Sequence, residues 1–283
     1  MRALQTPEGT ELLDCDRTAS RPQAAVVTVR PMRVPADCVP DPEVPDCGNV
    51  FVAVQVDDLV VRAAFDTGAA RTTLIDLPTS ARPIGSQETA GAFGAEVVTQ
   101  WEVGQIRLGS LRAGPLTVHR IAGGGGRHPV LGLDVLATGP WELDVATGSL
   151  LTDVPTPHGT EFHRAANGHV LTQLNWPTAT ATALWDTGAG ITLIDRHFAD
   201  AHPDLFEPAG SARATDVMGA QDDFELARVQ GYEIDGVRFA GHVVAIADLP
   251  EVPDHIDAAI GYPTIKQARW RVDVAARRWR IDG

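Results

Sequence analysis

One tetrapeptide and its surroundings occur twice in this chain, and that duplication constrains the fold more than any other feature. Asp66-Thr67-Gly68-Ala69 returns as Asp186-Thr187-Gly188-Ala189, 120 residues later. Each copy ends a two-strand pattern. Residues 51–56, a turn at Asp57-Asp58 and residues 59–65 lead into the first; residues 170–174, a turn around Asn175-Trp176-Pro177 and residues 180–185 lead into the second. The parallel continues without a gap, with Thr72 opposite Thr192, Thr73 opposite Leu193 and Leu74 opposite Ile194. Further on, Val130-Leu131-Gly132 matches Ala259-Ile260-Gly261, and each triplet is followed nine residues later by a tryptophan, Trp141 or Trp270. The tryptophans open strands 141–145 and 270–274, which alternate apolar and charged residues as half-buried strands do. Solenoid repeats run to roughly 20–50 residues, so this longer period points to a duplicated β-domain.

Composition agrees with two such units. The 283 residues include 27 Gly and 20 Pro between short runs rich in Val, Ala, Thr and Leu, which describes a chain of many strands and turns. We expect an all-β, bilobal fold with β-barrel-like lobes related by a pseudo-two-fold axis. The expected divisions are an N-terminal extension at 1–48, a first lobe at 49–154 and a second at 155–283, with residues 153–168 connecting the lobes. Within the extension, residues 24–29 read as a strand; the extension itself is open between an added strand, a cleft cover and a removable propeptide.

Several function classes drop out. A net charge of -14 opposes nucleic-acid and anionic-membrane partners, which need clustered cations. Lys266 is the sole lysine, so neither a phosphate loop nor Schiff-base chemistry is expected. Gly123-Gly124-Gly125-Gly126 precedes Arg127-His128 where a phosphate loop would have Lys-Ser/Thr, and reads as a flexible loop. The nine histidines lack metal-binding spacing, and His158, His163 and His169 fall in the connection, so no metal and no cofactor are expected. Cys15, Cys38 and Cys47 are odd in number and give no zinc pattern; a Cys38–Cys47 bridge is allowed but not required. The first residues lack the apolar run of a secretory leader and no later stretch would span a membrane, from which we expect a cytoplasmic protein.

The two motifs carry the chemistry. Gly68 and Gly188 let backbone turn tightly beside a carboxylate, and Thr67 and Thr187 supply hydroxyls to fix that turn. If the lobes pack about a two-fold axis, Asp66 and Asp186 meet. Two carboxylates about 3 Å apart cannot both ionise easily, so the pair keeps one proton and titrates as a unit. Such a pair can activate water with one member and protonate a carbonyl with the other. The plainer reading, two aspartates capping their own turns, does not account for the duplicated context. Asp144 and Asp273, at matching strand positions, suggest a repeated structural contact.

On these residues the chain resembles the retropepsin and pepsin superfamily of aspartic peptidases, from about residue 51 to the C-terminus. The DTGA form, the threonine six positions after each Asp, and the two apolar-apolar-Gly triplets are more similar to retroviral-type halves than to pepsin halves, here fused in one chain. The resemblance implies a peptidase acting on peptide or protein substrates as a monomer, with catalytic Asp66 and Asp186. The supporting loops would be Thr67, Gly68, Ala69, Thr187, Gly188 and Ala189, with each triplet beneath a neighbouring Asp loop. It also implies a hairpin flap over the substrate: Gly91, Ala92, Phe93 and Gly94 in the first lobe, with Met218 and Gly219 at the matching place in the second. The tyrosine of a pepsin-type flap has no counterpart there, since the only tyrosines are Tyr232 and Tyr262. A peptide-binding or scaffolding module that kept the fold without turnover is the alternative, motivated by divergence of the second flap. A glycosidase is a distant third, because its carboxylates stand about 5–9.5 Å apart and need no mirrored loops.

Overall fold

A computed structural model describes residues 31–41, 44, 46–90, 95–123, 127–215, 221–249 and 255–283. The strand expected at 24–29, the flap tips at 91–94 and 218–219, Gly124 to Gly126 and Cys15 lie outside the described residues.

Strands dominate, and the helices among the described residues are short turns such as Leu133–Leu136, Arg196–Ala201 and Tyr262–Ile265. None is long and apolar enough to cross a membrane. In the first lobe Gly48–Val56 pairs antiparallel with Leu59–Phe65, closing at Val56 and Leu59. The turn between them places Asp57 at φ 46°, a conformation Asp tolerates better than most side chains. Its carboxylate accepts hydrogen bonds from the Gly104 and Gln105 N–H groups at 2.9 and 2.7 Å, tying that turn to a later one. The second lobe repeats the unit with Val170–Asn175 and Thr180–Trp185.

Both lobes then insert the triplet strand in the same way. Val130–Leu131 runs parallel to Leu59–Phe65 and antiparallel to Thr73, while Ala258–Ile260 runs parallel to Thr180–Trp185 and antiparallel to Thr192–Asp195. A long hairpin follows on each sheet: Arg82–Ala90 with Ala95–Val103, and Phe206–Thr215 with Gln221–Val229. Each hairpin shifts register once, between Pro83 and Gly85 and between Pro208 and Gly210. The same Pro-x-Gly bulge thus recurs at the matching place in both hairpins.

The lobes meet in a shared sheet, ordered Thr160–Glu161, Arg278–Asp282, Arg269–Asp273, Trp141–Asp144, Ser149–Thr152 and Met32–Pro40. At its centre Trp141 pairs with Val272, Glu142 with Arg271 and Leu143 with Trp270. Exchanging the equivalent positions 141/270, 142/271 and 143/272 returns the same pairing, so the pseudo-two-fold axis passes through the Glu142–Arg271 pair. Those two residues form an ion pair, with Arg271 Nε 2.8 Å from a Glu142 carboxylate that is only 6% exposed. Trp141 and Trp270 are buried, and each indole N–H donates to the carbonyl five residues back, Leu136 at 3.0 Å and Ile265 at 2.9 Å. Trp185 lies between them, with ring centroids 5.8 Å from Trp141 and 5.3 Å from Trp270. One hydrophobic cluster therefore runs from Val34 to Trp279 through both lobes. Asp144 and Asp273 do make the same contact, each accepting from the N–H three residues on, Thr147 at 3.1 Å and Ala276 at 2.9 Å.

Residues 32–40 form a strand with two partners. Met32–Pro35 pairs with Ser149–Thr152 of the shared sheet, and Ala36–Pro40 pairs with Gly48–Val52 of the first lobe. The second lobe has the same strap in two pieces, with Thr160–Glu161 on the Arg278–Asp282 strand and His163–Arg164 on Val170–Leu171. Cys38 and Cys47 are unbridged thiols.

Removing one member of a buried ion pair costs ~3–5 kcal/mol, and the partial exposure of Arg271, at 30%, reduces this to about 2 kcal/mol. Arg271→Ala is expected to lower urea-unfolding stability by about that amount. Arg271→Glu, which sets like charges on the axis, is expected to cost more; equal stability of the two variants would contradict this account.

Candidate functional site

The triplet strands set the two aspartates where the lobes meet. The Asp66 N–H donates to Leu131 O at 3.1 Å and the Asp186 N–H to Ile260 O at 3.0 Å, so each motif leaves its strand over the triplet. Leu133 N–H and Tyr262 N–H then donate to Ala69 O and Ala189 O, both at 2.8 Å. A Cβ on Gly132 would sit 2.6 Å from Arg71 C, and one on Gly261 would sit 2.4 Å from Ile191 O, so only glycine fits beneath either loop.

Across the axis the loops are laced by four hydrogen bonds. Thr67 N–H donates to Thr187 Oγ1 and Thr187 N–H to Thr67 Oγ1, both at 3.0 Å. The Thr67 hydroxyl donates to Trp185 O at 2.8 Å, and the Thr187 hydroxyl to Phe65 O at 2.7 Å. Both threonines are buried, at 0% and 2% exposure.

Each carboxylate is oriented by its own loop. Asp66 Oδ1 accepts from Gly68 and Ala69 N–H at 2.8 and 2.9 Å, and Asp186 Oδ1 from Gly188 and Ala189 N–H at 2.9 and 3.2 Å. The glycines also face the opposite carboxyl: a Cβ on Gly68 would lie 2.3 Å from Asp186 Cγ, and one on Gly188 would lie 2.2 Å from Asp66 Cγ. The two carboxyls are hydrogen-bonded to each other. Both are densely enclosed by protein yet keep one partly exposed side. Burial, then the Asp186 charge and the shared hydrogen bond, push the Asp66 carboxyl well above the usual carboxylate range. Burial raises Asp186 as well, while the hydrogen bond from Asp66 and the loop N–H groups pull it back. The pair thus titrates as a unit and holds one proton between Asp66 and Asp186.

The predicted residues Asp66, Thr67, Gly68, Ala69, Asp186, Thr187, Gly188 and Ala189 therefore come together. Of the flap residues only the flanking strands of each hairpin are described. Tyr232 and Tyr262 lie elsewhere: both are buried in the second lobe, with Tyr232 OH 2.6 Å from Thr264 Oγ1.

Asp134, His242 and Thr264 went unread in the sequence. Thr72 Oγ1 accepts from Gly132 N–H at 3.2 Å and donates to Asp134 Oδ1 at 2.7 Å, while the other Asp134 oxygen takes Thr72 N–H at 2.9 Å. The signal was present as Gly132-Leu133-Asp134, directly after the triplet. In the second lobe Thr192 Oγ1 likewise accepts from Gly261 N–H at 3.1 Å, but its other contacts are Thr264 Oγ1 and His242 Nε2, each at 3.3 Å. His169, expected in the connection, instead adjoins the site, because residue 169 immediately precedes the Val170–Asn175 strand. Burial pulls its titration down against the Asp186 charge and the Gly68 backbone, and among the described residues Nε2 is buried with no hydrogen-bond partner.

No family model matches the chain, and no curated protein matches it. Among solved structures, an aspartic proteinase from Irpex lacteus is similar over 89% of this chain and 97% of its own, with a TM-score of 0.57 and 15% identity. The pepsin-like, bilobal all-β fold is therefore shared with that enzyme.

Thr67→Val would strand the Thr187 N–H and the Trp185 carbonyl, at about 1–3 kcal/mol for each buried group left unpaired. Loss of that order is expected in chemical denaturation, with Thr67→Ser near wild type. The dyad has the opposite effect on stability. Because the folded Asp66 carboxyl titrates above its unfolded value, the stability it contributes is greatest below about pH 4 and is lost as pH climbs through the raised folded value. Asp66→Asn is accordingly expected to raise Tm at pH 7 and to leave it near wild type at pH 3.5; a lower Tm at pH 7 would contradict the shared-proton geometry.

Proposed function

We propose that the protein is an aspartic endopeptidase in which Asp66 and Asp186 together hydrolyse peptide bonds. The observation that carries the reading is the pair of half-enclosed carboxyls, bonded to each other and each held by two loop N–H groups. The ionised member of the Asp66/Asp186 pair takes a proton from a water molecule as its oxygen attacks the peptide carbonyl carbon. The protonated member gives its proton to the carbonyl oxygen, yielding a neutral geminal diol. On collapse, the C–N bond breaks, a proton passes to the departing amine nitrogen, and the dyad returns to one proton. The Thr67 and Thr187 lacing keeps both carboxyls at working separation throughout, so little reorganisation is needed.

The two halves fit fused subunits of retroviral type. Each lobe carries a long hairpin of matching length, 9 with 9 residues and 10 with 9, in the place of a flap. A single chain supplies both aspartates, which supports action as a monomer on peptide or protein substrates.

A diverse peptide library, tested from pH 3 to 8 with wild type, Asp66→Asn and Asp186→Asn, tests the reading. Loss of at least ~100-fold in both variants, each still folded, is expected. Absence of cleavage by wild type, with peptide binding intact, would favour the noncatalytic module. The pH profile follows from the raised carboxyls: activity is expected to persist above the ordinary carboxyl range near pH 4 and to fall as the dyad loses its proton. A profile confined below pH 3 would count against this dyad.

A further inference from the structure

The two lobes present different chemistry to the cleft at matched positions. In the first lobe one cross-strand row runs outward from the Asp66 loop: Val130 pairs with Thr73, Thr73 with His119, His119 with Gln100, and Gln100 with Gly85. In the second lobe the same row reads Ala259, Leu193, Ala245, Leu226 and Gly210. The intervening residues Leu74, Val118 and Leu131, like Ile194, Val244 and Ile260, belong to the central core. Since side chains alternate along a strand, the rows lie on the other face. That is the face of the loops, because Val130 packs with Ala69, and Ala259 belongs to a cluster lined by Ile191.

In the first lobe this face carries a polar network beside a small apolar cluster of Val98, Ile121 and Ile75. Gln100 Nε2 donates to Gln87 Oε1 at 2.7 Å, and Gln87 Nε2 stands 3.1 Å from His119 Nε2 and 3.3 Å from Thr89 Oγ1. His119 is buried, and burial followed by the nearby Arg71 charge lowers its titration, so the ring is neutral and accepts from Gln87. Gln87 lies opposite Val98, and its second-lobe equivalent, Ala212, lies opposite Phe224. The set His119, Gln87, Gln100 thus corresponds to Ala245, Ala212, Leu226. There Leu193, Phe224, Ala245 and Ala259 form an apolar cluster flanked by Leu226.

We infer that Gln87, Gln100 and His119 make the first-lobe side of the cleft a selector for an uncharged polar side chain, amide or hydroxyl, while the second-lobe side takes a branched aliphatic one. This rests on the peptidase reading and adds its substrate class. Gln87 and Gln100 are half-buried, near enough to solvent to meet a substrate yet held by the network in one orientation. A substrate amide or hydroxyl can bond their remaining donors and acceptors; an aliphatic group would shut those off from water and replace nothing. The second-lobe row offers only methyl and methylene surface.

The test is cleavage profiling on peptides randomised on both sides of the scissile bond, alongside binding of the same peptides to Asp66→Asn protein on an array. Wild type is expected to favour Asn, Gln, Ser or Thr over Leu, Ile or Val by about tenfold or more at one position, with the reverse preference across the bond. Gln87→Ala/Gln100→Leu/His119→Ala, which copies the second-lobe set, is expected to become apolar on both sides. The reciprocal Leu226→Gln, in the lobe left intact by that change, is expected to admit an amide on the second side. Apolar preference on both sides in wild type, or an unchanged profile in a folded triple variant, overturns the inference and leaves the peptidase reading standing. Two-sided selectivity on the array without cleavage upholds the inference and sinks catalysis. Neither cleavage nor binding overturns both.

Discussion

Thr67 and Thr187 reach across the axis, each hydroxyl donating to the carbonyl that precedes the other aspartate and accepting from the other threonine's N–H. The rest of the site depends on this exchange. It satisfies backbone groups that both loops bury, and it fixes how far apart the lobes hold their carboxyls. With the backbone clamped, the loop N–H groups can aim each Asp, and Gly68 and Gly188 can stand where any side chain would strike the opposite carboxyl. A proton shared between enclosed carboxyls then follows from geometry, at a cost in stability that the lacing and the common core offset.

The axis has two ends with different electrostatics. At one, like charges face each other and are reconciled by a proton. At the other, Glu142 faces Arg271. In an assembly of identical subunits a residue on the axis must face its own copy, so opposite charges there require two halves of different sequence in one chain. The rows beneath the hairpins differ in the same way, polar in one lobe and apolar in the other, while the bulge, the triplet and the DTGA loop are alike in both.

Much of this was legible in the sequence because it is local or repeated. The hairpins ending at Phe65 and Trp185, the paired triplets and the matched strands at Trp141 and Trp270 all announce themselves by alternation and by recurrence. What escaped depends on contacts between distant segments. Nothing in 141–145 or 270–274 says that the two strands pair with each other. Asp134 takes its role from Thr72, 62 residues earlier in the chain. His169 sat in a Gly- and Pro-punctuated stretch that reads as connection, and its place near Asp186 comes from the hairpin register that sets Leu171 opposite Leu184. The polar row was unreadable for the same reason, since Gln87, Gln100 and His119 are neighbours only through strand register.

The shared sheet also bears on how such a chain is made. Its central strand from the first half, Trp141–Asp144, takes its partner from Arg269–Asp273, close to the C-terminus. During synthesis the first lobe is therefore finished while that strand still shows an open edge, with Trp141 awaiting the Trp270 side of the core. Unpaired edges of this kind invite pairing with other chains. The charged residues of the strand, Glu142 and Asp144, lie on that edge and discourage such contacts until Arg269 and Arg271 arrive to meet them.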